Sequence, residues 1–128
     1  MPIDARFKLQ TMETGVPSLM ISKNGIFLSV NLYKKLNGAK YVQVYLSEET
    51  REIAIAKCNK EDEAAVELKF ADKYARIYNR DFINTIASLL SMTFDTINIR
   101  VNGRYVSDGD YYIFDLNTAK KGKVKENL

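Results

Sequence analysis

Leu19 to Lys57 reads LMISKNGIFLSVNLYKKLNGAKYVQVYLSEETREIAIAK, and the order of elements in this stretch decides the fold. Leu19-Met20-Ile21 is a short apolar strand. Asn24-Gly25 is a strong two-residue hairpin signal, because both residues tolerate the positive φ of a type I′ turn. Ile26-Phe27-Leu28 is the return strand. Ser29 or Asn31 can then cap a short helix whose apolar face is Leu32, Tyr33 and Leu36. Asn37-Gly38 ends it, with Gly38 suited to the left-handed position beyond a helix C-terminus. Tyr41 to Leu46 alternates, Val42, Val44 and Leu46 on one face and Tyr41, Gln43 and Tyr45 on the other. After the polar turn Ser47 to Thr50, Arg51 to Lys57 alternates again around Ile53 and Ile55.

Working outward, Asn59 to Ala64 (NKEDEA) reads as a solvated charged connector, after which the same order recurs more loosely. Val66, Leu68 and Phe70 alternate with Glu67 and Lys69. Ala71-Asp72 reads as the turn, and Lys73 to Tyr78 as a return strand with Tyr74, Arg76 and Tyr78 on one face. Asn79 caps a longer helix, Arg80 to about Met92, with Phe82, Ile83, Ile86, Leu89 and Leu90 on one stripe. Thr96 to Val101 alternates with Ile97, Ile99 and Val101 inward. Asn102-Gly103 reads as a further hairpin, followed by Arg104 to Val106 as a short arm. Ser107 to Asp110 is a second turn, and Tyr112, Phe114 and Leu116 face inward from a closing strand. The expected fold is therefore α+β: two β-β-α-β-β units, 17–58 and 65–117, in one mostly antiparallel-sheet domain spanning 17–117 with the connector at 59–64. Residues 1–16 read as an N-terminal arm in which Phe7 and Leu9 allow an edge strand, and 118–128 as a basic disordered tail whose lysines can add non-specific attraction to nucleic acid.

Composition bounds the function. The chain has 128 residues, enough for one domain with a proper core. Its apolar runs are too short to span a membrane, and its opening residues do not read as a secretory leader. With one cysteine, Cys58, no internal disulfide forms, and a cytoplasmic location is expected. The Ile-, Lys-, Asn- and Tyr-rich composition suits an AT-rich bacterial or bacteriophage genome. Formal charge is +3. The residues from Thr118 onward hold four lysines against one glutamate, so the remainder is neutral, with fifteen charges of each sign. Within it, Pro17 to Cys58 is the basic part, with six basic and three acidic residues.

Histidine is absent, which removes the commonest general base and the usual zinc ligand. Cys58 reads as a buried structural thiol, and Asp108-Gly109-Asp110 as turn chemistry rather than a calcium loop. No phosphate-cradling glycine motif is present. No enzyme, cofactor or metal is expected. The suggestive pattern is aromatic residues interleaved with basic or amide ones: Tyr74-x-Arg76-x-Tyr78 and Tyr41-x-Gln43-x-Tyr45. Such strand faces stack bases and contact phosphates in single-strand-binding sheets, although tyrosine also favours strands for packing alone.

Ile21 to Lys57 also resembles the AbrB-like swapped-hairpin DNA-binding domain. Lys23-Asn24-Gly25-Ile26 matches its lysine-glycine-isoleucine turn, Leu32 to Leu36 its short helix, and Tyr41 to Lys57 its closing strands. A chain with two such units is similar to the MraZ variant. Val30 and Asn31 stand where the family has a proline and an acidic residue, and Asp72-Lys73 replaces the glycine turn in the second unit. The resemblance implies DNA contacts at Lys23, Asn24, Lys34 and Lys35. The chain is also similar to Whirly and related single-strand-binding coactivators in pairing sheets with helices, although their four strands before each helix depart from the order here. Taken together, the residues point to a non-catalytic nucleic-acid-binding protein, a transcription regulator or phage accessory protein, acting as a homodimer. Its candidate contacts are Lys23, Asn24, Lys34, Lys35, Tyr41, Tyr45, Tyr74, Arg76 and Tyr78. The alternative is a small phage or bacterial protein that acts by binding a host or partner protein, which the neutral body and tyrosine-rich faces also suit.

Overall fold

The computed structural model describes residues 16–71 and 73–123. The N-terminal arm and its Phe7–Leu9 edge strand lie outside the described residues, apart from Val16.

The chain order is β1 (Ser18–Ser22), β2 (Gly25–Ser29), α1 (Val30–Lys35), β3 (Tyr41–Ser47), β4 (Glu52–Cys58), β5 (Val66–Glu67), β6 (Lys69–Ala71), β7 (Tyr74–Ile77), α2 (Arg80–Leu89), β8 (Ile97–Val106), β9 (Tyr111–Asp115) and β10 (Lys120–Lys123). All strand pairings among the described residues are antiparallel, and they join ten strands in the order β5-β3-β4-β9-β8-β1-β2-β7-β6, with β10 beside β8.

The two ends of that order are adjacent in sequence. β5 pairs with β3 through Tyr41↔Glu67, and β6 pairs with β7 through Lys69↔Arg76. Leu68 alone separates them. It is buried, and its N–H donates to the Lys40 carbonyl at 2.9 Å. One run of chain thus serves both edges, and the sheet curls into a nearly closed barrel with little free edge. This corrects the expectation of one regular strand with Val66, Leu68 and Phe70 on one face: only Leu68 is buried, and Phe70 is exposed with its ring 4.8 Å from that of Tyr33.

Alternation supplies the core. Leu19, Ile21, Ile26, Leu28, Val42, Ile53, Ile55, Ala75, Ile77, Ile99, Val101, Tyr112 and Phe114 point into the barrel from strands, and Leu32, Leu36, Ile83 and Ile86 add the helices. Each large aliphatic side chain buried this way contributes about 1.5–3 kcal/mol. Both helices depend on side-chain caps. Ser29 Oγ accepts from Leu32 N at 3.2 Å, and Asn79 Oδ1 accepts from Phe82 N at 2.8 Å. Asn37 (φ 57°) and Gly38 (φ 69°) turn left-handed after α1. α2 stops at Leu89, earlier than the expected Met92, where Ser91 adopts φ 52°.

Four local expectations are corrected. In the first hairpin Ser22 pairs with Gly25, so Lys23 and Asn24 form the turn; neither has positive φ, and Gly25 instead takes φ 142°. In the second, Ala71 belongs to the strand and not to the turn, since it pairs with Tyr74; Asp72 lies outside the described residues. Asn102-Gly103 is no hairpin. It lies inside the long strand β8, and the turn follows at Ser107 to Asp110. Gly103 is needed for packing: a Cβ there would lie 2.4 Å from the Phe114 ring. Finally, the described part of the basic tail, up to Lys123, is ordered, and residues 124–128 lie outside the described residues. Asp115 caps a 3-10 turn, Leu116–Thr118, by accepting from Asn117 N at 2.9 Å, and Lys120–Lys123 then pairs with Ile97–Arg100.

Candidate nucleic-acid interface

β8 divides its partners along its length. Gly103–Val106 pairs with β9, whereas Ile97–Arg100 pairs with β10 on one edge and Ile99–Asn102 pairs with β1 on the other. The N-terminal half therefore sits in a five-strand wall, β10-β8-β1-β2-β7. Its register aligns one outward residue from each strand: Lys120↔Arg100, Arg100↔Met20, Met20↔Phe27 and Phe27↔Arg76. At about 4.8 Å per strand, this row runs roughly 19 Å across the wall.

The surface above the row is an open groove of about 1560 Å³. That exceeds the roughly 300–1,000 Å³ of a small-molecule pocket and suits an extended ligand. One side carries Arg100 and the β10 lysines Lys120, Lys121 and Lys123. The other carries Lys23, Lys73 and Arg76. Among the described residues these seven cations line the groove with a single carboxylate, Asp95; on β10 Lys120 stands beside Arg100 on the outward side, whereas Lys121 and Lys123 occupy the positions paired with Ile99 and Ile97. Acidic residues gather elsewhere: Glu48, Glu49 and Glu52 about the β3–β4 turn, Glu61, Asp62 and Glu63 in the connector, and Asp108 and Asp110 at the β8–β9 turn. A body neutral in sum is thus divided in space. Concavity with one sign of charge concentrates the field within the groove.

The groove side chains are held in place. Arg76 donates from Nε to the Asn24 carbonyl at 2.7 Å and also from Nη2 to the same oxygen. A Cβ on Gly25 would meet Arg76 Nε at 2.9 Å, so this glycine makes room for the arginine of the neighbouring strand. The Arg76 guanidinium lies over the Tyr78 ring, 5.1 Å from its centroid. Phe27 and Tyr74 meet edge to face at 5.0 Å. Arg100 Nη2 approaches Met20 Sδ at 3.9 Å.

The expected contact residues divide accordingly. Lys23, Asn24, Tyr74 and Arg76 line the groove, and the exposed Tyr78 adjoins it through Arg76. Lys34 and Lys35 lie in the last turn of α1 and do not line it. Nor do Tyr41 and Tyr45 on β3, where Tyr45 Oη donates to Gln43 Oε1 at 3.1 Å and Gln43 Nε2 donates to the Glu63 carbonyl at 2.8 Å. Sequence reading missed Met20, Phe27, Lys73, Arg100 and the three β10 lysines. Arg100 carried a signal, since it is the outward residue between Ile99 and Val101. Lys120-Lys121-Gly122-Lys123 signalled only a basic tail with non-specific attraction to nucleic acid, because a strand without apolar alternation looks like a solvated tail.

No family model, curated protein or solved structure matches this chain.

Away from the groove, Cys58 is half-buried rather than fully buried, and burial followed by the Asp62 carboxylate raises its pKa above the ordinary thiol value. Tyr105 donates to Asp110 Oδ1 at 2.9 Å, which raises the phenol pKa. Glu67 and Lys69 pair at 2.8 Å; their hydrogen bond lowers the carboxyl pKa and raises that of the amine. No helix among the described residues is long and apolar enough to cross a membrane.

Proposed function

We propose that this protein binds nucleic acid without catalysing a reaction on it. The observation that carries the reading is the groove: seven cations against one carboxylate over a row that includes Phe27 and Met20. Lys/Arg contacts to phosphate supply most sequence-independent affinity through counterion release, and aromatic side chains add base stacking. A role in transcription regulation or phage DNA metabolism is the narrower form of this proposal, and an AbrB-like mode narrower still. In that mode Lys23 and Asn24 would contact the nucleic acid from the first hairpin turn.

The strand pairings also support an internally repeated layout. Exchanging β1 with the β5–β6 run, β2 with β7, β3 with β8 and β4 with β9 leaves the main set of pairings unchanged, β10 being an addition. The hairpin closed by Ser22↔Gly25 then corresponds to that closed by Ala71↔Tyr74. On this reading the two β-β-α-β-β units form the barrel together, and the groove lies where the first hairpin meets strands of the second unit.

Fluorescence anisotropy with labelled single-stranded and duplex oligonucleotides across a salt series tests the function. If four groove cations engage a single strand, log K falls with log salt at a slope of roughly −3. Failure to bind any of these oligonucleotides at low salt would overturn the proposal.

A further inference from the structure

The two strands in the middle of the basic wall have an unusual outward face. On β1 it presents Ser18, Met20 and Ser22; on β2, Gly25, Phe27 and Ser29. Every outward residue beside Met20 and Phe27 is serine or glycine. The groove floor is therefore low, and its only large side chains are a thioether and a phenyl ring. The flanking strands rise on both sides, with Tyr74 and Arg76 on β7 and Asn98, Arg100 and Asn102 on β8, then Lys120 on β10. From β7 to β8 the trough is three strand spacings wide, about 14 Å.

Resting on the nucleic-acid reading, we infer that this trough takes a single strand, lying along β1 and β2 with bases against Phe27 and Met20 and phosphates along Arg100 and Lys120. The chemistry of the floor decides between single strand and duplex. Reading a duplex requires an element that protrudes into a groove about 12 Å wide and offers polar groups to base edges. Here the surface is concave, and its central side chains are apolar. A duplex keeps its base faces stacked inside, so it would set phosphates against the cations and leave Phe27 and Met20 unmatched. An unpaired base has a free π-face, and every base has one, so a phenyl ring on the floor accepts any sequence. The edge-to-face contact between Phe27 and Tyr74 orients both rings and covers only one ring face. Arg100 and Lys120 stand side by side in register on the β8–β10 side, whereas Arg76 is engaged with the Asn24 carbonyl and the Tyr78 ring, which assigns the backbone to the β8–β10 side and the bases to the floor and the Tyr74 side.

The test compares an oligothymidine, an oligouridine and a hairpin duplex, each about twenty nucleotides long to exceed the usual 4–16-nucleotide site. The strands, of either sugar, should bind at least about tenfold more tightly than the duplex at equal salt. A fluorescent base analogue placed in the strand should change its emission on binding, a readout that needs no variant. Phe27→Leu should weaken strand binding roughly tenfold, with thermal melting as the check on folding. Duplex binding that equals or exceeds strand binding, or a base analogue that does not respond, overturns the inference while leaving nucleic-acid binding intact. No binding to any of the three overturns both.

Discussion

The two outer faces of the barrel are built from the same kind of strand and have opposite character. On β7, Tyr74 and Arg76, with Tyr78 just beyond the strand, present phenol and guanidinium groups beside a basic groove. On β3, Tyr41, Gln43 and Tyr45 present phenol and amide groups on a wall that does not line that groove. The β3 face is engaged with its own chain, since Tyr45 bonds Gln43 and Gln43 bonds the connector carbonyl of Glu63. On the β7 face Arg76 is also bonded, but to a turn carbonyl that holds its charge at the groove. Aromatic-polar alternation is thus a property of strands. A basic groove arises where neighbouring strands add charge and leave the floor low.

The largest test of this contrast removes the charge. Arg100→Ala, Lys120→Ala and Lys121→Ala together should reduce nucleic-acid affinity on the order of 10- to 100-fold at low salt and flatten the salt slope, as read by anisotropy. An unchanged slope would place binding on another surface. The joint between the faces is next. Gly103→Ala puts a methyl into the Phe114 ring where β8 passes from one face to the other, so urea unfolding should show a loss of about 1–3 kcal/mol. A neutral result would mean that Phe114 can move aside. Tyr78→Ala and Tyr45→Ala sharpen the contrast directly. The first should weaken strand binding about fivefold, and the second should leave it within about twofold. Equal losses would erase the distinction drawn here.

The smallest expected effect concerns Cys58 at the end of β4. Its raised pKa means less thiolate at any given pH, so thiol labelling at neutral pH should run slower than for a free cysteine and should accelerate as pH rises. Asp62→Asn removes the secondary cause and should raise the neutral-pH rate slightly; a decrease would contradict the assigned cause.

Much of the barrel was legible because alternation is a local signal. The inward residues of β3, β4 and β9 and the cap Asn79 stand where residue spacing puts them, and Ser29 is the one of the two candidates, Ser29 and Asn31, that caps α1. Glycine misled twice for one reason. At Gly25 and Gly103 the demand is close approach by Arg76 and Phe114, distant in sequence, and a local reading assigns such glycines to turns. The candidate site was half legible: Lys23, Asn24, Tyr74 and Arg76 line the groove, whereas Lys34, Lys35, Tyr41 and Tyr45 do not.

Spacing and composition alone establish the inward residues of β3, β4 and β9, the Asn79 cap of the longer helix, and the small net charge. Only the tertiary structure decided where that charge sits. The row from Arg76 through Phe27, Met20 and Arg100 to Lys120 joins five strands from distant parts of the chain, and its alignment is set by pairing register. Register is a long-range property: a shift of one residue in any pair would turn that strand's outward side chains toward the core and break the row.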